Sequence, residues 1–362
     1  MSKLLFIRYK KPAKVTEGGE IGTQMKLNVL RRLLGDENVD VYHIHDDNVK
    51  RRVSEYIKGV FWFPFGYFFG LTPKRVREIL AMSGQYDHIF IDRTVFGILA
   101  KKLKKHGYKG RVFCFFHNIE PLYFKAKLGN KPWRFVITGC VRRNDRWSCR
   151  YADTVISLNT RDGKLIAEHY GRYPDSIMAL ALDDKYDIKE YPAGMTAKKP
   201  LCMCVAAYFK PNCDGIDWFI KNVYPHVDIR LRIVGKGMGK MADSYRIPQD
   251  VELISDVPDL VPYYEEADII TIPLFQGSGM KVKTCESLMY GKNIIASDEA
   301  LEGYELNYDN MGGKCNTADE FIRTIQSFID SPRPRFNSYN RGVFLEKYST
   351  ESMMDAFKAI LE

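Results

Sequence analysis

Apolar runs of strand length alternate with amphipathic stretches of helix length from one end of the chain to the other, which is the pattern of parallel α/β architecture. In the first half the runs predict strands over 3–8, 39–44, 88–91, 111–116, 154–158 and 177–180. Helical periodicity fills the intervals, for instance over 22–34, 95–105 and 161–170. A second set of strands is predicted over 201–206, 229–234, 251–254, 269–273 and 293–296. Between the two sets, 183–199 is polar, carries Pro192 and Gly194 and has no periodicity, as a linker would. The chain therefore reads as a domain over 1–182, a linker over 183–199 and a second domain over 200–350, with a last helix over 351–362.

Composition narrows the class. With 45% hydrophobic and 27% charged residues the sequence is that of an ordinary globular protein. Its longest uncharged apolar run, Gly59 to Leu71, is too short for the roughly 20 residues of a spanning helix. The apolar start is followed by bases and no small-residue cleavage site, so it reads as a first strand, not an export signal. The eight cysteines show no regular spacing and read as free thiols of a cytoplasmic protein. Charge is divided unevenly. Residues 1–180 hold 33 Lys and Arg against 17 Asp and Glu, a net of +16, while the remainder is net −7. One basic face is expected to meet an anionic surface: phospholipid, nucleic acid or a phosphorylated substrate.

The segment with the clearest chemistry runs from Pro273 to Ser297. A strand ends at Pro273, the turn Gly277-Ser278-Gly279 follows, and an amphipathic helix is predicted from about Met280 to Tyr290. A glycine turn at a helix N-terminus exposes backbone N–H groups to a phosphate, and the helix dipole favours the charge. Lys283 and Glu286 are three apart and share a helix face. They read either as contacts to a diphosphate and a ribose hydroxyl, or as a surface ion pair.

This run, Gly-Ser-Gly-Met-Lys-x-Lys-x-x-Glu-Ser-Leu-x-Tyr-Gly-Lys, resembles the donor-nucleotide motif of glycosyltransferase family 4, the group 1 glycosyltransferases of GT-B fold. Segments beginning at Ala206, Leu231 and Val257 are similar to the same family in the same order, so the likeness covers most of 200–300. It implies two Rossmann-like parallel-sheet domains facing across a cleft, with the last helix crossing back to the first. It implies a nucleotide-sugar donor, a UDP- or GDP-sugar foremost, a saccharide or lipid-linked acceptor, retention of configuration, no metal and no cofactor. Glu286 takes the position that holds the donor ribose, and Gly277, Ser278, Gly279, Lys281 and Lys283 the diphosphate-binding loop and helix start. The family's second glutamate is replaced by Ser278, and Ala206-Ala207 stands where Gly-Arg is frequent. Lys281 and Lys283 are expected to restore the lost charge. Glu17-Gly18-Gly19-Glu20 is similar to the glycine-rich loop near donor and acceptor, or is an ordinary strand-to-helix turn. His117, after a buried strand, takes the position that faces the transferred sugar, or caps a strand end.

Around Phe61, Trp62, Phe63, Phe65, Tyr67, Phe68 and Phe69 lie Arg51, Arg52 and Lys58 on one side and Lys74, Arg75 and Arg77 on the other. Rings flanked by bases suit an anionic bilayer interface; packing into the domain core or lining of an acceptor groove are the other readings. The expected location is cytoplasmic, peripheral on the inner face of the cell membrane. His43 and His45 read as a solvated strand end with no second ligand set, and no Asp-x-Asp or dinucleotide fingerprint is present. The expected function is sugar transfer in surface polysaccharide assembly. A weakened homologue acting as a partner subunit, a nucleotide-sugar epimerase and a nucleic-acid binder are the alternatives, the last without a recognition motif.

Overall fold

The computed structural model describes residues 2–11, 18–46, 61–131, 133–186, 194–277 and 279–362. Ser278, Glu17, Arg51, Arg52 and Lys58, singled out above, lie outside the described residues. The chain forms two compact units, Met1–Ala179 with Met353–Glu362, and Leu180–Ser352.

The first unit is built on a six-stranded parallel sheet of β1 (Leu4–Lys11), β2 (Val39–Asp46), β3 (His88–Ile91), β4 (Arg111–Phe116), β5 (Thr154–Ser157) and β6 (Ser176–Ile177). Their order is β2-β1-β3-β4-β5-β6. The central strands are covered on both faces, which is why they read as unbroken apolar runs; Leu4, Phe6, Ile7, Ile89 and Phe113 are fully buried. Phe6 stacks on Phe90 at 5.1 Å, and Phe357 of the helix Thr350–Leu361 meets the same Phe90 at 5.9 Å. Because the chain winds one way from β1 to β2 and the other way from β3 onward, the carboxyl ends of β1 and β3 flank a topological switch point.

Helix formation departs from the expected boundaries where tertiary packing intervenes. The first helix runs over Gly18–Leu34, four residues longer at its start than its apolar periodicity predicts. Gly18 and Gly19 thus open a helix. The predicted helix over 95–105 is broken into a short turn, Thr94–Phe96, and the helix Ile98–Lys105. Gly97 separates them, with the backbone oxygen of Asn144 so close that a Cβ there would lie 2.0 Å from it.

The second unit repeats the plan with β7 (Leu201–Val205), β8 (Arg230–Gly235), β9 (Glu252–Ser255), β10 (Ile269–Ile272), β11 (Asn293–Ala296) and β12 (Gly312–Lys314). The order is β12-β11-β10-β7-β8-β9, all parallel, so its switch point falls between β7 and β10. The helix Lys210–Asn222 lies against the end of β10, and only glycine fits at 215: a Cβ would sit 1.8 Å from the Pro273 carbonyl oxygen. All eight cysteines are free and buried, three in the first unit and five in the second, and burial pushes every thiol pKa up.

Candidate active site

In the second unit the switch point brings two loops together. After β7 the exposed segment Ala207–Lys210 leads into the helix Lys210–Asn222. After β10 the chain passes buried Pro273 and Leu274, exposed Phe275–Gly277, and Gly279 at a φ of 67°, then enters the helix Val282–Met289. Among the described residues no side chain caps that helix at Lys281, which leaves the positive end of its dipole open there. Its start is fixed from behind: Thr284 Oγ1 donates to the Ala300 carbonyl at 2.7 Å, and Tyr304 Oη to that of Lys281 at 2.7 Å.

One turn into this helix stand Lys283 and Glu286, both partly buried. Lys283 Nζ donates to Asn212 Oδ1 at 2.7 Å, while Asn212 Nδ2 donates to the Ala207 carbonyl at 2.9 Å. Asn212 therefore ties the loop after β7 to the helix after β10, directly across the switch point. Burial lowers the Lys283 ammonium to about 8. Burial raises the Glu286 carboxyl to about 7, against the pull of Lys185, Tyr264 and Lys283. Its contact with Tyr264 Oη is long, 3.5 Å. Tyr264 is fixed by stacking on Tyr290 at 4.3 Å. Glu286 is thus a lightly partnered carboxylate and Lys283 a cation drawn out of water, both at the start of one helix.

Residues 199–331 match the model of a family described as glycosyl transferases, group 1. The second unit carries a group 1 glycosyltransferase domain. The whole chain is similar in fold to the Anabaena protein HepE solved with UDP-glucose, with a TM-score of 0.64 and 11% identity over 100% of this chain and 99% of that one. It is similar to the lipopolysaccharide outer core galactosyltransferase WaaB, with a TM-score of 0.62 and 15% identity over 99% of each chain. A glycosyltransferase from Rickettsia africae gives a TM-score of 0.62 and 13% identity over 99% of this chain and 97% of that one. No curated protein matches the sequence. The fold is GT-B, two Rossmann-like parallel-sheet units, and the enzyme class is glycosyltransferase, as the motif residues imply.

Within the glycosyltransferase domain, the residues around Gly277 sort differently from the sequence expectation. Lys281 is not a free cation: its ammonium is 2.7 Å from Glu299 Oε1 and 3.9 Å from Glu302 Oε2, and it donates to the Gly279 carbonyl. Glu299 was not legible in the motif, yet its carboxylate reaches the loop so closely that a Cβ on Gly277 would lie 2.8 Å from it. The cavity lined by Leu201, Arg230, Pro262, Glu265, Glu266 and Arg335 belongs to the opposite ends of these strands.

In the first unit of the glycosyltransferase, His117 follows β4 and is buried beside an ionic cluster. Its Nε2 lies 3.2 Å from Lys26 Nζ and 3.3 Å from Asp92 Oδ1, and those two atoms are 3.0 Å apart. Thr23 Oγ1 donates to Asp92 Oδ2 at 2.7 Å, and Arg8 pairs with Glu20 at 2.9 Å. Burial works against ionisation of Asp92, but Lys26 and His117 hold its carboxyl well below the usual range. Burial, then Lys26, lowers His117 to about 4 and keeps the ring neutral. Gly19 lies in this neighbourhood, 3.4 Å from an Arg93 nitrogen measured at its would-be Cβ. The sequence signal for the cluster was present in the helix periodicity: Thr23, Lys26, Leu27 and Leu30 occupy one buried face, so two polar residues sit where apolar ones are expected.

The aromatic segment splits. Phe63 and Phe68 are buried in the core, Phe63 edge-on to Phe69 at 4.6 Å and Phe68 against Phe124 at 5.5 Å. Tyr67 and Phe69 are partly buried, while Phe61, Trp62 and Phe65 are exposed. Of the flanking bases, Arg75 is spent on the Gly70 and Ile44 carbonyls and Lys74 lies at 4.0 Å from Glu78. Among the described residues no group of His, Cys, Asp and Glu is placed to hold a metal ion, and no helix is long and apolar enough to cross a membrane.

Proposed function

We propose that the chain transfers a sugar from a nucleotide-sugar donor to a saccharide or lipid-linked saccharide acceptor, with retention and without a metal, in assembly of a surface polysaccharide. The observation that carries this reading is the Glu286–Lys283–Asn212 arrangement at the open helix start of a group 1 domain. As the glycosidic C–O bond breaks, negative charge gathers on the leaving nucleoside diphosphate. The N-terminus of the helix Val282–Met289 and the Lys283 ammonium stabilise that charge as a preorganised dipole and ion. The Glu286 carboxylate accepts from ribose hydroxyls. His117, held neutral with Nε2 engaged by Lys26 and Asp92, offers Nδ1 to the transferred sugar. The UDP-glucose bound to the Anabaena neighbour makes UDP-sugars the first donors to test.

Calorimetric titration of UDP and GDP decides the matter. One nucleotide should bind the native chain, and Glu286→Ala should weaken it at least tenfold, about 1.4 kcal/mol. Equal affinity of both proteins overturns the donor site. A second reading, a weakened homologue working as a membrane-associated partner subunit, is favoured by Ala206-Ala207, which brings no cation to the loop after β7. Sustained turnover by the purified chain alone excludes it.

A further inference from the structure

We infer that the first unit docks on an anionic bilayer through the exposed face of the helix Arg134–Tyr151 and the aromatic turn packed on it. The inference rests on the proposed function, because a lipid-linked acceptor is presented at a bilayer. Its evidence is independent of the donor site.

The turn Phe63–Phe65 is anchored to that helix. Arg143 donates to the Pro64 carbonyl, Asn144 Nδ2 to that of Gly66 at 2.9 Å, and Gly66 lies so close to Trp147 that a Cβ would be 2.3 Å from its ring. This seats Phe65, 63% exposed, beside Arg143. Phe61, 75% exposed, precedes the same turn. On the helix itself, Phe135, Val136, Arg142, Arg143, Arg146 and Arg150 are exposed, while Ile137, Cys140, Val141, Asn144, Asp145, Ser148 and Cys149 are buried. The exposed stripe is therefore apolar at its start and guanidinium for the remaining turns. Phe135 lies eight residues before Arg143, roughly 12 Å along the axis. Apolar wedges and bases thus share one helix face, the composition of a segment that lies in a headgroup interface.

Charge complementarity selects the occupant. From Arg93 to Ala152 the sequence holds fifteen Lys and Arg and two acids, Glu120 and Asp145, both buried. This stretch presents no carboxylate to solvent. Among the described residues none of Arg142, Arg143, Arg146 and Arg150 has an ion-pair partner, and Lys101, over the Trp147 ring at 4.1 Å, lies within the field of Arg143 and Arg150. Four guanidinium groups without an ion-pair partner on one exposed helix face meet a continuous anionic surface, and protruding rings and a valine enter its acyl boundary.

The test is co-sedimentation of the full chain with vesicles of phosphatidylglycerol in phosphatidylcholine and with phosphatidylcholine alone, each at low and high salt. The native chain should pellet with the anionic vesicles and be released by salt. Arg142→Gln/Arg146→Gln/Arg150→Gln should weaken binding at least about tenfold, and Phe61→Ser/Phe65→Ser/Phe135→Ser comparably, with unchanged thermal melts. Equal binding to both vesicle types, or native-like binding by both variants, overturns the proposal. So does capture of a single-stranded oligonucleotide in place of vesicles, or a concentration-dependent dimer that both variants abolish. UDP binding measured on the same samples separates the two readings: a chain that binds UDP but no vesicle loses only the docking face, and the reverse loses only the donor site.

Discussion

At the strand ends of the first unit, charge is closed on itself: Lys26, Asp92 and His117 form a buried triangle, and Arg8 answers Glu20. At the equivalent ends in the second unit, charge is left open. Among the described residues, Lys283 has a neutral amide as its hydrogen-bond partner and Glu286 one long contact from a tyrosine. Both arrangements are desolvated, and the contrast shows that burial acts on a charge according to its company. Paired, Asp92 stays ionised well below the usual carboxylate range; nearly alone, Glu286 is pushed up to about 7. The first pattern holds a ring in place. The second leaves two groups whose protonation lies near neutrality.

The sharpest way to break this contrast is to open the closed cluster. Asp92→Ala leaves the Lys26 ammonium buried without its counter-ion and should cost about 3 to 5 kcal/mol of stability, read from denaturant unfolding. Adding Lys26→Met should recover much of that loss, because the uncompensated charge is removed; no recovery would mean that the pair does not act as a unit. Next in size is the pH response of His117. Its ring takes up a proton at 6.5 when unfolded but only at about 4 when folded. The native chain should therefore lose up to about 3 kcal/mol as pH falls between those values. Melts of His117→Gln over the same range should fall less steeply, and parallel curves would refute the buried neutral ring. Smallest in stability but decisive for function is the open site. Lys283→Met should change stability by less than about 1 kcal/mol, yet weaken UDP binding about tenfold. In the native chain UDP affinity should be greatest between about pH 7 and 8, where Glu286 has ionised and Lys283 still carries its proton. A flat profile from pH 6 to 9 would remove these groups from the site.

Much of the architecture could be read from side-chain pattern, because a buried parallel strand announces itself as an apolar run. His88–Ile91, Arg111–Phe116 and Asn293–Ala296 have the predicted ends to the residue. The strand Gly312–Lys314 was not legible: its Gly-Gly-Lys sequence adds hydrogen-bonding backbone beside β11 and no apolar side chain. The predicted strand over 177–180 shrinks to Ser176–Ile177 at the edge of its sheet, where only β5 is there to pair with it. The site follows the same division. Lys283 and Glu286 are neighbours on one helix and were visible by spacing, whereas Asn212 is 71 residues from Lys283 and meets it only through the crossing of two loops. The aromatic segment shows what local pattern cannot encode. Its rings are alike in sequence, and contact with Phe124, Phe96 and Trp147 decides that Phe63 and Phe68 go inward while Phe61 and Phe65 stay out.

The burial of all eight thiols makes the folded chain chemically quiet toward alkylating reagents, and each unit carries its own reporters. Cys114, Cys140 and Cys149 become reactive only when the first unit opens; Cys202, Cys204, Cys213, Cys285 and Cys315 only when the second does. Pulsed alkylation followed by peptide mass analysis would therefore time the two openings separately in the native sequence, with no label introduced, and a cysteine placed anywhere on the surface would be the single fast-reacting thiol of the molecule.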